Sequence, residues 1–421
     1  MSVGVLCAVE GAAESIIVQA VEGTGGRLSV TRRCADLSEL LAAAEAGLGR
    51  IAVVSAGLEL LDRDSVDVLQ RAGVTVVGVG DPSRPWLAER LRSYGVEVPT
   101  DSPHDEAGAG ALVQRALAAL DALTGRGPAP TVAAPTGPEP VGPPEDGLVV
   151  AVWGPTGAPG RTTVAVNLAA ELAASAGSAL LVDADTYGGS VAQVVGLLDE
   201  APGLAAATRA AGQGTLDLHT LARLAPLLGP GLRVLSGVSR PDRWPELPAS
   251  SLDAVWGVAR GLARWTVVDC GFCLEQDEAL TFDTRAPQRN GATLSALEAA
   301  DVVVVVGAAD PVGIQRLVRG LGELTDQGLG ATRLVVVNRV RASVAGPRPG
   351  EAVARALARY AGVTDAHLVP DDRAALDAAL LEARTLREAV PGSPARRALA
   401  AVAARLPSVV AAPVPAVPAA R

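Results

Sequence analysis

Residues Leu148–Leu168 read LVVAVWGPTGAPGRTTVAVNL. The apolar run Leu148–Trp153 predicts a buried parallel strand, and the Gly/Pro segment after it a tight turn. Val164, Leu168 and Leu172 then fall at helical spacing. Strand, glycine-rich turn and helix N-terminus together make a cradle for phosphate: the glycines let backbone N–H groups approach anionic oxygens, and the helix dipole adds partial positive charge. Arg161 stands where a cation would hold β/γ-phosphates, and the Thr162 hydroxyl where Mg²⁺ would bind. The phosphate-binding stretch is therefore Gly154, Pro155, Thr156, Gly157, Ala158, Pro159, Gly160, Arg161, Thr162 and Thr163. It departs from the usual G-x-x-x-x-G-K-[ST] form in two ways. Five residues separate Gly154 from Gly160, and Arg161 replaces the lysine.

Composition bounds what surrounds this loop. At 421 residues, 49% hydrophobic and 19% charged, the chain is long and apolar enough for two domains with a large core. The net charge of −10 argues against nucleic acid held by bulk electrostatics. The 36 basic residues are all arginine. Four cysteines are too few for a disulfide scaffold and suit a reducing cytoplasm. The start, MSVGVLCAVEG, lacks a positively charged segment, so no signal peptide is expected. No apolar run reaches the ~18–20 residues of a membrane span.

Residues 1–125 alternate short apolar strands (Val3–Val9, Leu28–Thr31, Ile51–Ser55, Val74–Val79) with helical segments (Ala12–Ala20, Leu37–Ala46, Val66–Ala72, Pro85–Tyr94, Ala109–Leu123). The alternation predicts a parallel sheet with helices on both faces. Residues 126–147 are dominated by Pro and Gly and read as an extended linker. From Leu148 to Leu406 a second domain is expected, with strands at Leu148–Trp153, Ser178–Val182, Arg233–Leu235, Trp265–Val268, Val302–Val306, Leu334–Val337 and His367–Val369. Their near-continuous Val/Leu content suits a central parallel sheet buried on both faces. A Pro/Ala-rich tail, 407–421, is expected to be disordered.

Several strand ends carry polar groups. The phosphate loop follows the first strand of this domain, Asp183 and Asp185 the second, Asp269 a later one, and Asn338 one later still. Ligands of open α/β sheets sit at the carboxyl ends of strands, so a site assembled from several such ends is more specific than any one motif. Each carboxylate taken singly also reads as a strand-end or capping acid.

The motifs GPTGAPGRTT, LLVDADTYGGS, WTVVDCG and LVVVNRV resemble those of the MinD/ParA family of P-loop ATPases, over most of residues 148–406. That resemblance implies an ATP and Mg²⁺ site. Asp185 would orient or activate the attacking water, with Arg161 beside it in the catalytic set. Asp183 and Asp269 would hold Mg²⁺ through its waters, together with Thr162. Asn338 would bind adenine, with Pro370 and Asp371 closing over the base. Arg339, Val340 and Arg341 follow Asn338 and offer donors where a guanine reader needs a carboxylate, so adenine is favoured. The first domain resembles a response-regulator receiver, a flavodoxin-like fold, in pattern alone. Ala8-Val9-Glu10 and Ser55-Ala56-Gly57 stand where a receiver has its acids and phosphoacceptor, so docking or dimerisation is expected of it rather than phosphoryl chemistry.

A receiver-like domain, a Pro-rich linker and a MinD-like domain together resemble the CpaE/TadZ family of pilus-positioning proteins and the related septum-site regulators. The resemblance implies an ATP-binding protein that forms a nucleotide-dependent homodimer and localises a membrane-associated machine. It would reside in the cytoplasm and meet the inner membrane face through partners. The family's loop carries two lysines and this chain has none, so weak or absent hydrolysis is expected. A non-hydrolysing scaffold and a DNA-partitioning ATPase are the alternatives. Cys270-Gly271-Phe272-Cys273 is a C-x-x-C pair without a second pair to complete a zinc site, and reads as buried thiols. Arg285 and Arg289 read as solvated loop charges, or as cations reaching a partner's phosphate.

Overall fold

The computed structural model describes residues 2–9, 11–59, 61–81, 84–100, 106–124, 147–157, 160–197, 202–276, 288–329 and 331–410. The chain divides into two compact units, one built on each of two sheets.

The first unit has five strands: β1 (Val3–Ala8), β2 (Leu28–Arg33), β3 (Ile51–Ser55), β4 (Thr75–Val79) and β5 (Glu97–Thr100). They lie in the order β2-β1-β3-β4-β5, all parallel. Successive residues of a strand face opposite sides, and the core splits accordingly. Leu6, Ala8, Ala52 and Val54 pack with residues of the helices Leu37–Glu45, Arg63–Arg71 and Pro85–Ser93. Val5, Cys7, Ile51 and Val53 pack on the other face with residues of Ala12–Glu22 and Glu106–Thr124. The helix starts follow capping chemistry: Asp36 accepts from the Glu39 N–H and Asp62 from the Ser65 N–H, both at 2.8 Å. The fifth strand, EVPT, was not evident in the sequence. It is a four-residue edge strand containing a proline, and edge strands tolerate proline and lack an apolar period.

The second unit is an eight-stranded sheet: β6 (Leu148–Trp153), β7 (Ala179–Ala184), β8 (Leu227–Gly229), β9 (Leu232–Leu235), β10 (Trp265–Cys270), β11 (Val302–Ala308), β12 (Thr332–Val340) and β13 (His367–Pro370). The order is β13-β12-β11-β6-β10-β7-β9-β8, with only β8 antiparallel to its neighbour. The three-residue β8 was also missed, being too short to show a period. β6 lies among the central strands, buried between β11 and β10, and every residue from Val149 to Trp153 is at 0% exposure. That burial on both faces is what the unbroken apolar run required.

Helix Arg161–Ala176 returns from β6 across one face and is tied to the C-terminal end of the chain. Glu171, 7% exposed, accepts from Arg396 through both oxygens at 2.7 Å and from Arg387 at 3.0 Å. Asn167 Oδ1 accepts from the Leu386 N–H at 2.7 Å. The last helix runs Pro394–Val410, so it takes in Pro407–Val410, the first four residues of the Pro/Ala-rich tail. Pro407 lies inside this helix and supplies no N–H to the carbonyl four residues earlier, and Leu406 at 0% exposure anchors the turn. Residues 411–421 and the linker residues 126–146 lie outside the described residues. No helix among the described residues is long and apolar enough to cross a membrane.

Candidate functional site

The loop after β6 is fixed by close packing at its glycines. A Cβ at Gly154 would collide with the Val306 carbonyl of β11, so the chain can leave the sheet there only as glycine. Gly160 has φ 87° and begins helix Arg161–Ala176 with no side-chain cap. The first-turn N–H groups of that helix therefore have no partner within it. A Cβ at Gly160 would come within 2.9 Å of Asn338 Nδ2. The structure thus brings Asn338, 5% exposed at the end of β12, against the phosphate loop. Its Oδ1 accepts from the Arg339 N–H at 2.8 Å. Arg339 has φ 56°, a left-handed conformation uncommon for a side chain of this kind. Ala158 and Pro159 lie outside the described residues.

Register places two of the acids side by side. Asp269 of β10 is opposite Asp183 of β7. Asp183 is satisfied by the backbone: Oδ1 accepts from the Asp185 N–H at 3.2 Å and Oδ2 from Val191 at 3.0 Å. Gly189 and Gly237 make room for it, since a Cβ at either would press on its carboxylate. Burial pushes its carboxyl up to about 6, with those backbone donors opposing.

Asp269 is different. It is 1% exposed and both carboxylate oxygens lack a hydrogen-bond partner of proper geometry. Burial raises its carboxyl well above the usual range and the Asp183 charge adds to the rise. The Thr162 hydroxyl beside it and, more weakly, Arg161 pull the other way. A buried unpartnered carboxylate is costly unless something else completes it. No group of three or more His, Cys, Asp or Glu side chains able to hold a metal occurs among the described residues. The donors offered are instead hard oxygens, the Thr162 hydroxyl and two carboxylates. That set fits Mg²⁺, which keeps several of its waters and takes few protein ligands.

Asp185, 6% exposed, closes the group. Its Oδ1 accepts from the N–H groups of Tyr187 (2.9 Å) and Gly188 (3.2 Å). Its Oδ2 accepts from Arg161 Nη2 at 3.2 Å, while Arg161 Nη1 donates to the Gly154 carbonyl at 3.0 Å. The guanidinium expected to face phosphate is thus held between the loop's own backbone and the candidate catalytic acid. A cleft of about 350 Å³ opens here, lined by Gly160, Arg161, Thr162, Asp185, Tyr187, Gly188 and Phe272.

Tyr187 and Phe272 were not singled out from the sequence. Their ring centroids are 4.8 Å apart, and the Tyr187 hydroxyl donates to Asn290 Oδ1 at 2.8 Å. Arg289 stacks over the Tyr187 ring at 4.3 Å, within its own subunit; Arg285 lies outside the described residues. Aromatic residues flanking strand-end acids were the one sequence signal for this wall. Cys270 and Cys273 are both free. Cys270 is buried at 0% exposure and burial pushes its thiol well up, so it stays protonated and unreactive. Pro370 and Asp371 stand apart from the cleft lining. Pro370 pairs in register with Val340, and Asp371 faces Arg341 at 3.3 Å and Arg373 at 3.4 Å.

No family model matches the chain. Two curated proteins of Mycobacterium tuberculosis, from strains CDC 1551 / Oshkosh and H37Rv and both described as uncharacterized, are 33% identical to it over 219 residues. That stretch is 52% of this chain and 53% of theirs, so the chain spans about half the length of the curated relatives it matches. Among solved structures, the ParA-family ATPase of Chlorobium tepidum TLS aligns with a TM-score of 0.52 at 15% identity, covering 62% of this chain and 99% of that one. The cell-division ATPase MinD of Pyrococcus furiosus aligns at 0.48 and 18%, covering 62% and 99%. The first of these carries the fold, and with it the chain has an α/β architecture on a mostly parallel sheet like that of a ParA-family P-loop ATPase.

Proposed function

We propose that the eight-stranded unit binds Mg-ATP and that the chain is a positioning protein of the MinD/ParA type. Nucleotide would drive a homodimer that localises or regulates a membrane-associated machine, at pilus or secretion assembly or at the septum site. The observation that carries the nucleotide reading is Asp269: a buried carboxylate with two unpartnered oxygens, beside Thr162 and the uncapped start of helix Arg161–Ala176. Thr162, Asp183 and Asp269 would hold Mg²⁺ and its waters; the ion would supply charge neutralisation of the phosphates. The loop from Gly154 to Thr163 would wrap the phosphates with backbone N–H groups. Asn338, lying on the loop, would face the nucleoside, with adenine preferred because Arg339 and Arg341 offer donors. The receiver-like reading of residues 1–125 rests on the strand order β2-β1-β3-β4-β5, which is that of doubly wound flavodoxin-like folds; the unit would dock or dimerise. Residues 126–147 would act as the linker between the two domains.

Hydrolysis would be slow or absent. Asp185 would orient the attacking water, but Arg161 holds one of its oxygens and two backbone N–H groups hold the other. A planar guanidinium binds phosphate well yet does not reproduce a lysine's point charge. Ground-state binding then survives better than transition-state stabilisation, which depends on placement within fractions of an ångström. The Arg161–Asp185 pair also favours the second reading, a scaffold that binds nucleotide and never turns it over. The net charge of −10 leaves DNA partitioning the weakest of the three.

The test is calorimetry with a non-hydrolysable ATP analogue beside single-turnover hydrolysis. Binding of the analogue, weaker binding of the GTP counterpart and little turnover are expected. Arg161→Ala should weaken binding by about tenfold to a hundredfold, the loss of one charge-assisted phosphate contact. Rapid turnover by the protein alone would remove the slow-hydrolysis reading, and unchanged affinity in Arg161→Ala would remove Arg161 from the site.

A further inference from the structure

Helix Pro311–Asp326 starts directly after β11, capped by Asp310, whose carboxylate accepts from the Gly313 N–H at 3.0 Å. Its Gly320 sits against the strand that delivers the phosphate loop: a Cβ there would lie 3.0 Å from the Trp153 ring and 3.3 Å from Pro155. Arg316 is four residues earlier, one turn along the same face. Its guanidinium lies on Gly157, in the middle of the loop, so closely that a Cβ at Gly157 would collide with Nη1. Gly157 has φ 70°, so glycine is needed there both for the turn and for this approach.

Arg316 forms no hydrogen bond or ion pair among the described residues. Arg316 is exposed, and among the described residues its guanidinium, which lies on Gly157, has no acceptor, so its donors are free to meet an anion. Arg161 is the opposite case, engaged by Asp185 and the Gly154 carbonyl. Three carboxylates, Asp183, Asp185 and Asp269, crowd the strand ends around that one engaged cation. Mg²⁺ would offset the carboxylates Asp183 and Asp269, and a second protein cation would add to the charge facing the phosphates themselves.

We propose that Arg316 is a second phosphate-binding cation of the loop, contributed by the helix after β11, and that its ligand is the polyphosphate chain of a nucleotide. The inference rests on the nucleotide reading above. Arg316 reaches Gly157 from the helix after β11, whereas Arg161 begins the helix that follows the loop and holds Gly154 and Asp185. A permanently charged, bidentate donor suits that role. The missing lysine is thereby compensated from a position that no loop motif would flag.

The test compares Arg316→Gln, Arg316→Lys and, as a charge control from the same helix, Arg319→Gln. Each is titrated with a non-hydrolysable Mg-ATP analogue and with inorganic tripolyphosphate, at low and moderate salt. Arg316→Gln should bind both ligands on the order of tenfold more weakly, with a shallower salt dependence. Arg316→Lys should recover part of the loss, and Arg319→Gln should match the wild type. Thermal melts without ligand should be alike for all three, because both arginines are exposed. Wild-type affinity in Arg316→Gln, with Arg161→Ala weakened, overturns the inference and leaves the nucleotide site standing. Equal weakening in Arg316→Gln and Arg319→Gln also overturns it, since only overall charge would then matter. A wild-type protein that binds neither ligand overturns the nucleotide reading and this inference with it.

Discussion

At the carboxyl ends of the five-stranded sheet the chain presents Ala8-Val9, Ser55-Ala56 and Val79-Gly80; at those of the eight-stranded sheet it presents Gly154, Asp183-Ala184-Asp185, Asp269-Cys270 and Asn338. Both sheets are mostly parallel, twisted α/β layers with helices on their faces. One ends its three central strands, β1, β3 and β4, in apolar or neutral residues, and its buried thiols, Cys7 and Cys34, are pushed by burial to about 11. The other gathers three carboxylates, a hydroxyl and an amide, and burial drives two of those carboxyls upward. The scaffold alone therefore predicts nothing about chemistry; what the strands end in does.

Asp269→Asn should break that contrast most strongly. In the ligand-free protein it replaces a buried acid whose oxygens lack partners with a neutral amide of the same shape, so the eight-stranded unit should be at least as stable as the wild type. The same change should lower Mg²⁺-dependent nucleotide affinity by roughly tenfold to a hundredfold, the usual cost of losing an outer-shell metal partner. Melts with and without Mg²⁺ and nucleotide read both effects. A variant that is less stable without ligand, yet stabilised by Mg-nucleotide as much as the wild type, would return Asp269 to a structural role.

A smaller effect separates the two units by pH. The folded carboxyl of Asp183 sits near about 6 against an ordinary 3.8. A raised acid favours the folded state when protonated. Its contribution is full below 3.8 and is lost as pH rises through about 6. Hydrogen exchange resolved by peptide should show β7 and β10 opening more readily across that window, while β1, whose Cys7 thiol is pushed up to about 11, changes little. Saturating Mg-nucleotide should flatten the slope, because a bound cation holds the carboxylates ionised. A slope that persists unchanged in Asp183→Asn would assign the pH dependence elsewhere.

Much of this was legible in the sequence because burial writes itself into strands as unbroken valine and leucine. Val302–Val306 and Leu148–Trp153 were plain for that reason, and the strand ends followed from where those runs stop. The edge strands Glu97–Thr100 and Leu227–Gly229 were not, since short half-exposed strands carry no period. Asp183, Asp185, Asp269 and Asn338 could be named singly from their positions. That Asp183 would be capped by backbone donors and Asp269 left without any depends on the register of β7 against β10 and on glycines at 189 and 237. Arg316 was invisible for a different reason. It lies 155 residues beyond Arg161 in the chain, and only the packing of Gly320 on Trp153 brings it to the loop.

The smallest expected effect is none at all, and it lies at the five-stranded sheet. Ser55 ends β3, where its Oγ accepts from the Gly57 N–H at 3.3 Å. A hydroxyl in that place has no carboxylate to form an acyl phosphate. Ala8 ends β1 and Val9 follows it, where a receiver has paired acids to hold a metal ion. Arg84 lies close on Gly57, within 2.9 Å of where a Cβ would be, and could attract an anion; but attraction without a nucleophile or metal gives no transfer. Incubation of the full chain with acetyl phosphate and Mg²⁺ should therefore leave its intact mass unchanged. Ser55→Asp should stay unmodified too, because it restores the acceptor and not the metal-binding acids. Stable phosphorylation of the wild type would overturn the docking reading of this unit. Phosphorylation of Ser55→Asp alone would show that the unit retains a receiver's metal site by means other than the acids at the end of β1, and would narrow the difference between the two sheets to a single side chain.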